Sequence, residues 1–316
     1  MRLLLVLALL AQTSVAWSAS KSPEDIDLPR IEVAMAAGDF ALARSILEPY
    51  ADTSGLAQFY LGNMAALGWG EAPDARQACR WYQKSAARKI PGGQHAYADC
   101  LRKGILGAPD PAAALALYLI AGAGPHRMSH CVAADMLIRG DGVPQDVPRG
   151  LDLCAKVAMD NSPPAMAQMA RYFSADPNVA PNLAVARQWY GMAAERGVNE
   201  ARYEYAVMLA EGKGGAPDPR QALPIMEQAA SEGYLPAYLP AAILYGNLPV
   251  DAKTGALAPE YLAKVYLWAS AARARLADAE QIRRADEILS AVHAVMPKEW
   301  QTDLDRRVTE HVNKFK

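Results

Sequence analysis

Four cysteines, Cys79, Cys100, Cys131 and Cys154, are the first residues in this 316-residue chain with chemistry to offer. An even number of thiols can form disulfides, ligate a metal, or sit buried as small apolar side chains. His126 and His130 stand four apart, the second directly before Cys131. They share one face if the segment is helical, with Pro125 as its start. Two imidazoles and a thiolate are an incomplete zinc set. No further ligand has a suitable spacing, and a Cys131 bound in a disulfide would leave the set. Solvated or capping histidines are the plainer reading, and no metal is expected. The carboxylates show no isolated pair inside an apolar stretch, the arrangement general acid–base catalysis favours. No catalytic residue and no cofactor is expected.

These residues need a scaffold, and composition bounds it. The chain is 52% hydrophobic and 21% charged, enough to bury a sizeable core. Its net charge of −2 argues against a nucleic-acid partner, which calls for clustered Lys and Arg. Residues 1–20 read as a secretory signal. Arg2 precedes an apolar run from Leu3 to Ala11, and Ser14-Val15-Ala16 and Ser18-Ala19-Ser20 both offer small residues for cleavage. A retained anchor is the alternative, although Gln12 and Ser14 interrupt the run before it reaches spanning length. The expected location is periplasmic or secreted, with no membrane span after cleavage. Four cysteines in an exported chain then favour two disulfides.

The positioning elements come from an internal repeat. Asp74, Asp110, Asp146, Asn182 and Asp218 are each 36 residues apart, and each can cap a following helix. Trp81-Tyr82, Leu117-Tyr118, Leu153-Cys154, Trp189-Tyr190 and Ile225-Met226 recur at the same step, and Leu267-Trp268 arrives after 42. Small residues keep register on one helix (Ala57, Gly93, Ser129, Ala165, Ala201, Ala237) and on the next (Ala86, Gly122, Ala158, Ala194, Ala230). Gly68, Gly104, Gly140 and Gly212 fall where a left-handed C-cap is needed. Each unit is thus two antiparallel helices whose small positions let backbones approach. Neither helix can bury its apolar face alone, so neighbouring units supply the core. About twelve to fourteen helices and no sheet are expected.

In such an array Cys79 and Cys154 lie two repeats apart, beyond the reach of a bridge. Cys131 and Cys154 are equidistant from Gly142 and can face each other across one hairpin; Cys79 and Cys100 flank the turn at Pro91-Gly92-Gly93. The pairing 79–100 with 131–154 is favoured, with buried free thiols as the other reading.

The pattern resembles the Sel-one-like repeat, a relative of the tetratricopeptide repeat. The resemblance is carried by Leu61-Gly62, by Gly140-Asp141-Gly142-Val143-Pro144-Gln145-Asp146 and by Gly212-Lys213-Gly214. Trp81-Tyr82 with Ser85-Ala86-Ala87, and Trp189-Tyr190 with Ala193-Ala194-Glu195-Arg196-Gly197, match its second helix. It covers about residues 57–272; Asp176 stands where a Gly is usual. The resemblance implies an all-α fold, a right-handed α-α superhelix of helical hairpins. On this reading residues 1–20 are the signal, 21–56 an N-terminal capping hairpin, 57–276 six repeats, and 277–316 C-terminal capping helices split near Pro297.

The resemblance implies a non-enzymatic scaffold that binds a protein or peptide in the cell envelope. In related repeats the first helix of each pair lines a concave face. In register, its exposed positions here include Phe59, Asn63, His95, Asp99, Arg102, Asp135, Arg171 and Tyr203. Mixed aromatic and polar groups suit a protein partner, though an ordinary solvated face has the same make-up. Two alternatives also follow from the resemblance: a scaffold subunit of an exopolysaccharide export complex, and a β-lactam-binding or hydrolysing enzyme. The latter needs a Ser-x-x-Lys nucleophile and a Lys-Thr-Gly strand. Lys253-Thr254-Gly255 falls in an enlarged loop, and Ser18-x-x-Lys21 falls at the signal cleavage site, so a turn is the plainer reading.

Overall fold

A computed structural model describes residues 26–315. The expected signal over residues 1–20 and the Ser18-x-x-Lys21 spacing lie outside them. The described residues contain helices and no strand, and they divide after Gly124 into two compact units. The first holds α1 (Leu28–Ala36), α2 (Phe40–Leu47), α3 (Gly55–Leu67), α4 (Ala75–Ala87), α5 (Pro91–Lys103) and α6 (Pro111–Ala123). The second opens with α7 (Ser129–Arg139), α8 (Val147–Met159), α9 (Pro163–Ala175), α10 (Leu183–Glu195), α11 (Asn199–Glu211) and α12 (Pro219–Ser231). It continues through α13 (Tyr238–Gly246), α14 (Pro259–Arg275), α15 (Ala279–Val295) and α16 (Gln301–Lys314).

Sixteen α-helices among the described residues exceed the twelve to fourteen expected. The expected layout accounts for them: twelve helices, α3–α14, in the repeats, and the capping pairs α1–α2 and α15–α16 at the ends. Gly38-Asp39 separates the first pair and Pro297 the second.

Each hairpin follows from its punctuation. Asp74, Asp110, Asp146, Asn182 and Asp218 accept hydrogen bonds from backbone N–H groups in the first turns of α4, α6, α8, α10 and α12. The first helices α3, α5, α7 and α11 end on Gly68, Gly104, Gly140 and Gly212, all left-handed. Asp176 instead takes an extended conformation after α9, so that hairpin turns without the left-handed cap. In every Trp-Tyr-type pair the second member is buried and the first is half-buried.

Small positions set the closeness of approach. A Cβ on Gly62 would come 2.5 Å from the Tyr82 ring, and one on Gly150 would come 2.9 Å from the Ala134 carbonyl oxygen. Ala57, Ser129, Ala165, Ala201 and Ala237 are fully buried at the matching first-helix position. The apolar interior is a series of separate clusters within each unit, as a stack of hairpins requires.

Cys79 of α4 is bonded to Cys100 of α5, with Cα atoms 5.9 Å apart. Cys131 of α7 is bonded to Cys154 of α8, with Cα atoms 4.4 Å apart. The first bond ties one hairpin to the next and the second closes a single hairpin. Repeat register explains both sites. Phe59 with Tyr82, and His95 with Tyr118, hold the positions equivalent to 131 and 154, and each pair makes a ring contact, at 6.2 and 5.2 Å. The positions equivalent to 79 and 100 carry Leu151 with Tyr172, and Leu223 with Leu244. Each disulfide thus takes the place that other hairpins fill with ordinary side chains, and the Cα separations of 5.9 and 4.4 Å allow the bonds.

At the C-terminal end, α16 seats His311 among aromatic rings. Its Nε2 lies 3.0 Å from the Tyr238 hydroxyl, and its ring meets Tyr238, Trp268 and Phe315 at centroid distances of 5.1–5.3 Å. Arg275 of α14 donates to the Phe315 carbonyl at 2.8 Å. Burial, then the charges of Lys314 and Arg275, hold the His311 pKa below its ordinary 6.5, against an opposing backbone contact at Ala230. A lowered folded pKa means that the undocked state binds the proton more readily. The seat of α16 is therefore at full strength above 6.5 and weakens as pH falls below it. Hydrogen exchange across residues 301–314, corrected for intrinsic rates, is expected to quicken on acidification, and His311→Gln should abolish that step. Equal pH response in both chains would show that His311 does not control the seat.

Candidate interaction face

The first helices present the polar and aromatic side chains singled out by register. All eight are half-buried, and Phe59, Asn63, His95, Asp99, Asp135 and Arg171 make hydrogen bonds or ring contacts to neighbouring helices. In the first unit the Tyr82 hydroxyl donates to Asn63 Oδ1 at 2.8 Å, and Phe59 lies against the Tyr82 ring. The Tyr118 hydroxyl donates to Asp99 Oδ1, and His95 Nε2 is 4.0 Å from Asp99 Oδ2. Burial, then the Asp99 charge, pushes the Tyr82 pKa up to about 12. Burial and the Asp99 bond raise Tyr118 as well, with Arg102 opposing. These phenols stay protonated and act as donors. They have neither the low pKa of a nucleophile nor that of a base at neutral pH.

In the second unit the same register forms a continuous chain over α7, α9 and α11. Tyr172 donates to Asp135 Oδ1 at 2.8 Å, and Gln168 Nε2 donates to the same oxygen at 3.2 Å. Arg171 donates to Gln168 Oε1 at 2.6 Å and to Glu200 Oε1 at 2.8 Å. Beyond Glu200 lie Tyr203, whose ring is 5.8 Å from that of Tyr234, and Glu204. Burial, then the neighbouring Glu200 charge, raises the Glu204 carboxyl, with Lys213 opposing. Burial is also the main reason that Tyr203 and Tyr234 are raised.

Asp135 and Arg171 are thus joined through Gln168, and Tyr203 stands beside the same chain's acidic end. Asn63, His95 and Asp99 are each tied to a tyrosine of a second helix. Sequence reasoning missed Tyr82, Tyr118, Gln168, Glu200 and Glu204. The tyrosines were legible: Tyr82 and Tyr118 each follow their partner by 19 residues. Gln168 and Glu204 share a repeat position with Ala96 and Val132, so their polarity departs from the packing pattern.

The other candidates for chemistry resolve differently. The helix expected to start at Pro125 begins only at Ser129: residues 126–129 form a turn closed by Ser129 N donating to the His126 carbonyl at 3.0 Å, with His126 Nδ1 2.8 Å from Ser129 Oγ. His126 is therefore outside the helix and shares no helical face with His130. Among the described residues no group of three or more His, Cys, Asp or Glu is placed to hold a metal. Lys253-Thr254-Gly255 lies in a turn organised by Asp251, whose Oδ1 accepts from Lys253 N, Thr254 N and Thr254 Oγ1 at 2.8–3.0 Å.

Comparison with known proteins places this architecture. A curated relative, an exopolysaccharide production negative regulator of Rhizobium leguminosarum bv. viciae, is 30% identical over 152 residues, covering 44% of this chain and 55% of that protein. The chain thus spans about half of that relative's length. Among solved structures, a protective antigen of uropathogenic Escherichia coli with an SLR fold matches at a TM-score of 0.63 and 19% identity. That match covers 90% of this chain and 61% of the antigen. A Sel1 repeat protein from Oxalobacter formigenes matches at 0.62 and 22% identity, over 78% of this chain and 99% of its own. These two likenesses show the solenoid fold alone. The Sel1 repeat model matches residues 55–89, 91–126, 128–162, 163–198 and 199–234, one copy for each hairpin from α3–α4 to α11–α12. With five tandem copies over more than half of its length, the chain belongs to the Sel1 repeat family.

Proposed function

We propose that this chain is an extracytoplasmic scaffold whose first-helix faces hold a protein or peptide partner in the cell envelope. The observation that carries the reading is the chain from Asp135 through Gln168 and Arg171 to Glu200, with Tyr203 and Glu204 beside it. Its side chains are already held by one another, so a partner meets ordered groups and little rotamer entropy is lost on binding. Half-buried tyrosines beside charged groups are the composition of binding hot spots. The two disulfides and the signal-like residues 1–20 support the location. No helix of the described residues is long and apolar enough to cross a membrane. No catalytic role is proposed, in keeping with a repeat family of interaction scaffolds.

Affinity capture from envelope extracts tests the reading. The oxidised chain is expected to retain a defined partner that Tyr203→Ala with Glu204→Gln loses, while helicity is unchanged. Equal capture by both would place the interface elsewhere. The Rhizobium relative favours one setting for the partner, the control of exopolysaccharide production. Deletion of the gene should then alter exopolysaccharide yield, and an unaltered yield would remove that setting.

A further inference from the structure

The outward face of α4 differs from that of every other second helix in the matched repeats. Arg76, Arg80 and Lys84, followed by Arg88 at the C-cap, occur at every fourth position and are all exposed. At 1.5 Å per residue they lie about 6 Å apart along the axis and span about 18 Å. Residues 75–90 include a further cation, Lys89, and no Asp or Glu.

The repeat itself supplies the control. The same four positions are Ala112, Ala116, Ile120 and Gly124 in α6, and Asp152 and Asp160 interrupt them in α8. Hairpin packing therefore does not require cations there. Among the described residues Arg76, Arg80 and Lys84 form no ion pair with a carboxylate. Lys84 lies over the Trp81 ring at 4.6 Å, and Arg88 donates to the Asp52 carbonyl at 2.5 Å. In a chain of net charge −2, a file of like charges that winds about 120° around the helix over its length costs self-repulsion, and no carboxylate partners Arg76, Arg80 or Lys84 among the described residues.

We propose that this face of α4 binds a linear acidic polysaccharide, one carrying a carboxylate on successive sugars. The charge is complementary, and the file of cations matches an extended polymer lying along the helix. A lipid surface fits less well, because interfacial helices pair their cations with large apolar side chains that insert. The exposed apolar side chains of residues 75–90 are only the methyl groups of Ala75 and Ala87. The proposal is independent of what the first-helix faces hold, because it concerns the opposite helix of the hairpin.

The test titrates the oxidised full-length protein with polygalacturonate, with neutral dextran and with phosphatidylglycerol vesicles, at low and high salt. Binding to polygalacturonate alone, weakened by salt, is expected. Arg76→Gln, Arg80→Gln and Lys84→Gln together should weaken it about tenfold, at a modest contribution from each exposed cation. Arg88 is left in place because it holds Asp52. Arg149→Gln with Lys156→Gln, on α8, should leave binding unchanged. Undiminished binding by the triple variant, equal loss in the α8 control, or binding to vesicles and not to polymer would each overturn the proposal.

Discussion

Replacing Cys79 and Cys100 by alanine is expected to lower the unfolding free energy by about 3 kcal/mol, and replacing Cys131 and Cys154 by a similar amount. The bonded residues are 21 and 23 apart, so the two closed loops are nearly equal and chain-entropy arguments rank them together. All four sulfurs are buried, so alanine also leaves small cavities, which add to the loss. The effect should be local as well as large. A stack of hairpins has few contacts between distant parts of the chain, and a segment freed at one hairpin can fray without unfolding the rest. Hydrogen exchange in the double variant at 79 and 100 should therefore rise first in α4 and α5, and in the variant at 131 and 154 first in α7 and α8. Non-reducing peptide mapping checks the premise in exported material. A 100–131 link, or four alkylatable thiols, would contradict it.

Gly150→Leu is expected to destabilise the α7–α8 hairpin by about 1–3 kcal/mol. Two effects compete. Leucine is a better helix former than glycine, which favours the variant by about 1 kcal/mol in an exposed helix interior. Against this, a Cβ at 150 would meet Ile138 Cγ1 at 2.7 Å and the Ala134 carbonyl oxygen at 2.9 Å, and the second of these is backbone. A side-chain neighbour can rotate away; a carbonyl in the middle of α7 moves only with its helix, and α7 is bonded to α8 through Cys131–Cys154. Packing should win. Ala194→Leu, at a buried small position on α10, should behave likewise without the offset from propensity. Unchanged melting midpoints for both would mean that the hairpins can separate to admit larger residues, against the close packing described above.

Much of this architecture was legible in the sequence, for a physical reason. A repeat states its packing rule several times, so a position that must be small, capping or large shows itself by recurrence. Asp74, Asp110, Asp146, Asn182 and Asp218 marked the helix starts, Gly68, Gly104, Gly140 and Gly212 the helix ends, and the Trp-Tyr-type pairs the buried seam. Local rules suffice where each contact is made by neighbours in the chain. The start of α7 was misread because Pro125 is a generic helix signal, whereas the chain there closes a turn over residues 126–129 before the helix begins.

Tertiary structure alone decided the state of the face. Sequence register placed Phe59, Asn63, His95, Asp99, Arg102, Asp135, Arg171 and Tyr203 on the first helices, but burial is a property of what packs alongside. Tyr82 and Tyr118 reach across from the second helices to take Asn63 and Asp99, and Gln168 bridges Asp135 to Arg171. Such bonds depend on side-chain reach and on the rotation between hairpins, neither of which recurs as a letter in the sequence. The raised Glu204 carboxyl has the same origin, since removal from water and the nearness of Glu200 exist only once α11 is docked.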